Sequence, residues 1–320
     1  MPLRLLEIYH DSSREDIEKI LEKIPSIDLR HEKLAGKQLL TKIILPTEET
    51  EVVIDKLQKH FGKSETFRIN IIPVEASIPR PEDEREEIEE RISIEEIYQD
   101  LTEVAKISKT YLILVSLAAV VASIGLIRND VAVIIGSMVI APLLSPNMAI
   151  ALATTLADSK LAKHAILTSI VGYLVALFIG VIFGMLMHVD ITSTEISSRV
   201  NINLMYILLA LSAGIAGSLS ITKDVAQALV GVMVAVAILP PIVTSGLLIG
   251  SMHFKDAFGA FVLFAVNIVC INLAGILTFL IQGISPKNWW ERKKAKEMVW
   301  KAILIWLILL LSLALLIIFL

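Results

Sequence analysis

The chain has 320 residues, 55% of them apolar, and a formal net charge of −4. Ordinary soluble domains run at roughly 45–50% apolar, so a purely soluble protein is excluded and a bilayer must be one of the solvents. The single cysteine, Cys270, excludes an intramolecular disulfide and a cysteine-based metal centre.

Charge is unevenly placed: residues 1–109 carry 25 acidic and 17 basic side chains, residues 110–320 only 8 and 12. The opening run Met-Pro-Leu-Arg-Leu-Leu-Glu lacks the apolar stretch and cleavage site of a secretory signal, so the first domain is expected in the cytoplasm. Residues 3–9 read as a strand, and Ile17, Ile20, Leu21 and Ile24 recur at helical spacing behind Ser12 and Ser13. Residues 27–34 and 37–45 are strand candidates around the Ala35-Gly36 turn. A second helix covers 48–61, and 66–72 alternates with Phe67, Ile69 and Ile71 inward. The order βαββαβ is the ferredoxin-like pattern, expected over residues 1–80. His10, His31 and His60 stand apart in sequence and read as solvated rather than as a metal site.

Pro73, Pro79 and Pro81 close this domain. In residues 82–90 seven of nine side chains are acidic. Ile94, Ile97, Leu101, Val104 and Ile107 then follow at three- and four-residue steps behind a Ser93-to-Glu96 capping box. An acidic amphipathic linker helix is expected over 81–109, leading into a membrane domain over 110–320.

Apolar stretches of about 20 residues or more occupy 110–128, 131–157, 164–188, 203–221, 225–252, 257–282 and 299–319, which is about seven spans. With the N-terminus inside, Lys106, Lys109, Lys160, Lys163, Lys223 and the basic cluster from Lys287 to Lys301 fall on inner loops. Arg128, Arg199 and Lys255 fall outside. The bias places the N-terminus in and the C-terminus out.

Sliding the membrane sequence by 95 residues aligns Tyr111 with Tyr206, Ser123 with Ser218, Gly136 with Gly231, Met138 with Met233, Pro146 with Pro241 and Gly180 with Gly275. Spans one to three would match spans four to six. Three crossings is odd, so the second copy enters from the opposite side: an inverted 3+3 repeat plus one further helix.

Spans two and five are uncharged for 27 and 28 residues, about 40 Å as helix against a hydrocarbon core of about 30 Å. Each carries prolines near its middle: Pro142 and Pro146 with Ser145 and Asn147, and Pro240 and Pro241 with Thr244 and Ser245. Proline removes a backbone donor, so discontinuous helices lining a binding site are expected at both places. Kinked helices, their backbones satisfied by Ser and Thr, are the alternative. Ser137, Asn267 and Asn272 complete the candidate substrate-binding set, Thr154 and Thr155 being further polar positions. Apart from Arg128 and Lys301 at span ends, no Asp, Glu, Lys or Arg lies inside a span, which argues against a carboxylate proton relay. Asp130 and Asp158 sit at span ends, where helix caps or ion pairs are the expected role.

The segment Ile135-Gly-Ser-Met-Val-Ile-Ala-Pro-Leu-Leu-Ser-Pro-Asn147, with the alanine-rich run to Ala157-Asp158, resembles a family of uncharacterised hydrophobic-domain membrane proteins, a domain of unknown function. The resemblance covers most of spans one to six. It implies the Ile-Ala-Pro motif at Pro142 and a separate soluble N-terminal part, but no substrate.

No His-Glu-x-x-His, Gly-x-Ser-x-Gly or paired-aspartate arrangement occurs in the spans, so no catalytic residue, metal or cofactor is expected. The reading is a transporter or channel for a small solute or ion, in a homo-oligomer, with a cytoplasmic regulatory or assembly domain. A membrane-anchored sensor or scaffold is the alternative. The lipid bilayer is the expected partner, and nucleic acid is not.

Overall fold

The computed structural model describes residues 3–10, 17, 20, 28–34, 39–61, 64, 66–74, 94–223, 227–285 and 289–319. Among the sequence expectations, most of the first helix, the Ala35-Gly36 turn, the acidic run and Ser93 lie outside these residues. The chain divides into two compact units, one drawn largely from Met1–Ile97 and the other from the remainder.

In the first unit, β1 (Leu3–His10), β2 (Asp28–Lys33), β3 (Leu39–Pro46) and β4 (Arg68–Val74) form one antiparallel sheet in the order β2-β3-β1-β4. Alternation puts Leu6, Ile8, Ile43 and Leu45 on one face, where Val53 and Leu57 of α1 (Thr47–Phe61) complete a buried core. Phe67, Ile69 and Ile71 pack against its edge, as their period of two requires.

Two of the three histidines depart from the solvated expectation. In the β2–β3 ladder His31 stands opposite Thr41, and β1 lies on the other side of β3. The Thr41 hydroxyl therefore sits 2.9 Å from His10 Nε2 and 2.9 Å from His31 Nδ1, with His10 only 1% exposed. Residues 31 positions apart meet because three strands run side by side. His60 alone is exposed, bonded to the Lys56 carbonyl of its own helix.

Within the described residues the linker helix ends before the last position of its apolar periodicity. α2 spans Ile94–Val104, burying Ile94, Ile97 and Leu101 and leaving Val104 and Ile107 exposed. It stops because Ser108 caps the next helix, its hydroxyl accepting the Tyr111 N–H at 3.0 Å.

The second unit is helical: α3 (Lys109–Ile127), α4 (Val131–Ile140), α5 (Leu144–Leu156), α6 (Ser159–Leu186), α7 (Thr194–Val200), α8 (Met205–Thr222), α9 (Gln227–Gly250), α10 (Phe254–Ile281) and α11 (Trp289–Phe319). Five of these, α3, α6, α8, α10 and α11, contain segments long and apolar enough to cross a bilayer; α4 and α5, bent by 52° at their junction, count together as a sixth. Within α9 the part counted as apolar helix is Ala237–Gly250. This is the composition of a multi-pass membrane protein.

Asp130 and Asp158 cap α4 and α6, each carboxylate accepting two backbone N–H groups of the following turn. Close crossings hold the bundle. A Cβ on Gly180 of α6 would lie 2.7 Å from the Val243 carbonyl and 3.1 Å from Gly246 Cα of α9. Gly184 and Gly250, one turn along each helix, face the partner backbone in the same way. Small residues four apart on both helices let the backbones touch.

Candidate functional site

The first proline pair breaks its helix. Ala141, the residue before Pro142, takes extended geometry (φ −74°, ψ 115°) and ends α4, as the steric demand of a following proline ring favours. The Leu143 N–H turns back onto the Ala141 carbonyl at 2.9 Å. Pro142 and Pro146 offer no N–H, so the carbonyls of Met138 and Pro142 lose their usual helical donors. Pro146 itself sits in the first turn of α5, where a missing donor is tolerated.

Asn147 lies one turn into α5 and is fully buried. Its Nδ2 donates to the Leu143 carbonyl at 2.7 Å, which ties the side chain to the break. The Tyr173 hydroxyl of α6 donates to Asn147 Oδ1 at 2.9 Å and accepts from Nδ2 at 2.7 Å. From α10, Asn272 Nδ2 donates to the same Oδ1 at 3.1 Å and to the Ile268 carbonyl at 2.9 Å. Three helices thus share one buried polar network. Phe264 of α10 closes over it, edge to face with Tyr173 at 4.9 Å between centroids. Among the described residues Asn272 Oδ1 has no hydrogen-bond partner.

The second proline pair behaves differently. Pro240 and Pro241 lie inside a continuous α9, so the expected discontinuous helix is absent there. The physical reason is a donor from outside: Asn267 Nδ2 of α10 bonds the Ala237 carbonyl at 2.6 Å, the acceptor that the Pro241 N–H would otherwise serve. Ser245 donates to the Ala257 carbonyl at 3.0 Å, and Thr244 Oγ1 is buried without a partner among the described residues.

The candidate residues therefore do not form one site. Asn147 and Asn272 meet beside Pro142 and Pro146, with Ser145 half-buried in the same first turn of α5. Ser137 is turned back onto the Ile134 carbonyl at 2.6 Å. Thr244 and Ser245 lie by Ala257, 15 residues from Asn272 along α10, roughly 22 Å at 1.5 Å per residue. Asn267 is spent on Ala237. Thr154 and Thr155 bond the carbonyls of Ile150 and Ala151 in their own helix.

Tyr173 was not among the sequence candidates. The one tyrosine of this 28-residue helix, set near its middle, is the signal that singles it out, because a buried Tyr O–H needs a partner.

Comparison with known proteins gives a family without an activity. A family profile described as Domain of unknown function (DUF389) matches residues 138–273, the stretch from the end of α4 to Asn272 and its neighbour Leu273. An uncharacterized protein of Methanocaldococcus jannaschii is similar at 37% identity over 287 residues, 90% of each chain. No solved structure matches. A likeness of that extent, together with the profile match over the broken helix and its network, means that the chain belongs to the DUF389 family, as the Ile-Ala-Pro segment at Pro142 suggested.

Proposed function

We propose that the protein is a membrane transporter or channel for a small solute or ion, with the first unit as its regulatory or assembly domain. The observation that carries this reading is the helix break at Pro142 adjoining a buried network with an unpaired acceptor. Irregular backbone at membrane depth survives only where protein buries it or a wet cavity meets it, and broken helices mark the sites of many transporters.

An inverted repeat is part of the proposal, and four features support it. Moved by 95 residues, the bounds of α6, Ser159–Leu186, become those of α10, Phe254–Ile281. Ala157 and Met252, 95 apart, both end their helices in left-handed geometry at φ 55° and 64°. Ser123 bonds the Ala119 carbonyl and Ser218 bonds that of Gly214, each pair related by the same offset. Gly180 meets Gly246, and a Cβ on Gly275 would lie 2.9 Å from the Cβ of Ala151; exchanging halves turns one crossing into the other. The unbroken α9 is where the halves differ. The strand order of the first unit supports the ferredoxin-like assignment, and the loop charges support a cytoplasmic N-terminus and an external C-terminus. The outward apolar faces of α6 and α11 suit lipid or a second copy.

The anchored scaffold is the second reading, favoured by the close-packed glycine crossings. Single cysteines at Asn147 and Thr244, on a Cys270→Ser background, distinguish the two in sealed vesicles. Labelling by an impermeant thiol reagent that changes side, or that a solute blocks, is expected for transport. Absence of labelling from both sides at both positions would transfer the assignment to the scaffold.

A further inference from the structure

We infer that Asn272 Oδ1 is a ligand to a monovalent metal cation, Na+ or K+, held by neutral oxygens at the α4–α5 break. This names a substrate class for the transport reading and rests on it.

The amide orientations follow from their neighbours. The Leu143 carbonyl only accepts, so the Asn147 atom 2.7 Å away is Nδ2, and Oδ1 faces Asn272. Asn272 then meets two acceptors, Asn147 Oδ1 and the Ile268 carbonyl, and both require its Nδ2. With both amide hydrogens spent, Oδ1 stands without a donor on a residue that is 0% exposed. Turning the amide over would set an oxygen against two oxygens and gains nothing.

The break just before Asn147 in the chain adds acceptors. Pro142 and Pro146 strip the donors from the Met138 and Pro142 carbonyls, and the C-terminal end of α4 adds negative partial charge. The amide hydrogens of Asn147 and Asn272 and the Tyr173 hydroxyl hydrogen are all donated within the network, so an anion finds no free amide hydrogen there. Divalent ions call for carboxylates, and none occurs in residues 131–157, 164–188 or 257–282. Amide and carbonyl oxygens without a formal charge match the modest dehydration demand of an alkali cation, and unwound helix carbonyls serve such ions in transporters.

The test uses the full-length protein in detergent, melted in NaCl, KCl or N-methyl-D-glucamine chloride titrated at constant ionic strength. A saturable rise in melting temperature with Na+ or K+, and none with the organic cation, is expected. Asn272→Leu should abolish it. Asn272→Asp keeps the Oδ1 acceptor, turns the Nδ2 donor into a second oxygen and adds a charge, so it should lower the midpoint concentration about tenfold; it decides the matter where the leucine variant does not fold. Equal melting in all three salts, as an ordered water at Oδ1 would give, overturns the inference, and so does a cation response unchanged in both variants. Side-switching labelling at Asn147→Cys without any cation response would sink the cation and leave transport standing. A cation response with no labelling from either side would keep the ion site and sink transport.

Discussion

Asn267 donates its side-chain amide to the Ala237 carbonyl at 2.6 Å, the acceptor one helical turn before Pro241. One helix thereby repairs a defect in its neighbour. Asn267→Leu should destabilise the protein by about 1–2 kcal/mol, the cost of a buried unpaired carbonyl. Pro241→Ala restores the missing N–H, so the double variant Asn267→Leu/Pro241→Ala should recover most of that loss. Unfolding of the two single variants and the pair in detergent checks the sign; additive losses would mean that the two residues do not share this acceptor.

The α6–α9 crossing should be intolerant of added side chains. At Gly180 a Cβ meets backbone atoms of Val243 and Gly246, which cannot swing aside. Gly180→Ala and Gly246→Ala are expected to cost about 1–3 kcal/mol through overpacking. Gly136→Ala is the control: a Cβ there meets nothing within 4 Å, and relief of glycine's helix penalty should stabilise by about 0.5–1 kcal/mol. Parallel melting curves of the three variants make the comparison.

Ala157 and Met252 hold left-handed backbone without being glycine, a conformation that costs an L-residue roughly 1–2 kcal/mol. Ala157→Gly should therefore raise stability by about 0.5–1 kcal/mol, part of the relief being lost to the freer unfolded chain. A lower melting temperature would contradict the assigned cap.

The Tyr98 hydroxyl donates to Asp158 Oδ2 at 2.7 Å, joining α2 to the start of α6. Partial burial works to raise the Asp158 pKa, but the Tyr98 bond, the N–H groups of Leu161 and Lys160 and the Lys160 charge together hold it below the usual carboxylate value. A folded pKa below the unfolded one adds stability above the ordinary carboxylate range, and that stability is lost as pH falls through the folded value. Tyr98→Phe should raise the Asp158 pKa and shift this acid loss to higher pH. Unfolding measured from neutral pH down to about pH 3, across the ordinary carboxylate range, would reveal it; superimposable profiles would discount the bond.

Much of the plan is legible without coordinates because it is local. Apolar length marks the spans, and Asp130 and Asp158 announce caps through their place before apolar runs. Period-two alternation places Phe67, Ile69 and Ile71 on the core side. The Ile-Ala-Pro segment marks the break at Pro142, since a proline ring acts on the residue beside it.

Other features depend on neighbours that sequence distance hides. The pre-proline preference applies equally to Ala141 and Leu239, yet α4 ends at the first while α9 runs through the second, with Asn267 supplying a donor to the Ala237 carbonyl. His10, Thr41 and His31 meet only through the sheet order, and Tyr173 joins Asn147 and Asn272 only because α6 and α10 pack against α5. Caps and breaks are set within a turn of chain, where the atoms concerned are covalently near. Which buried polar group finds a partner, and which is left with an empty acceptor like Asn272, is decided by helix packing, because in a medium without water the partner must come from another segment.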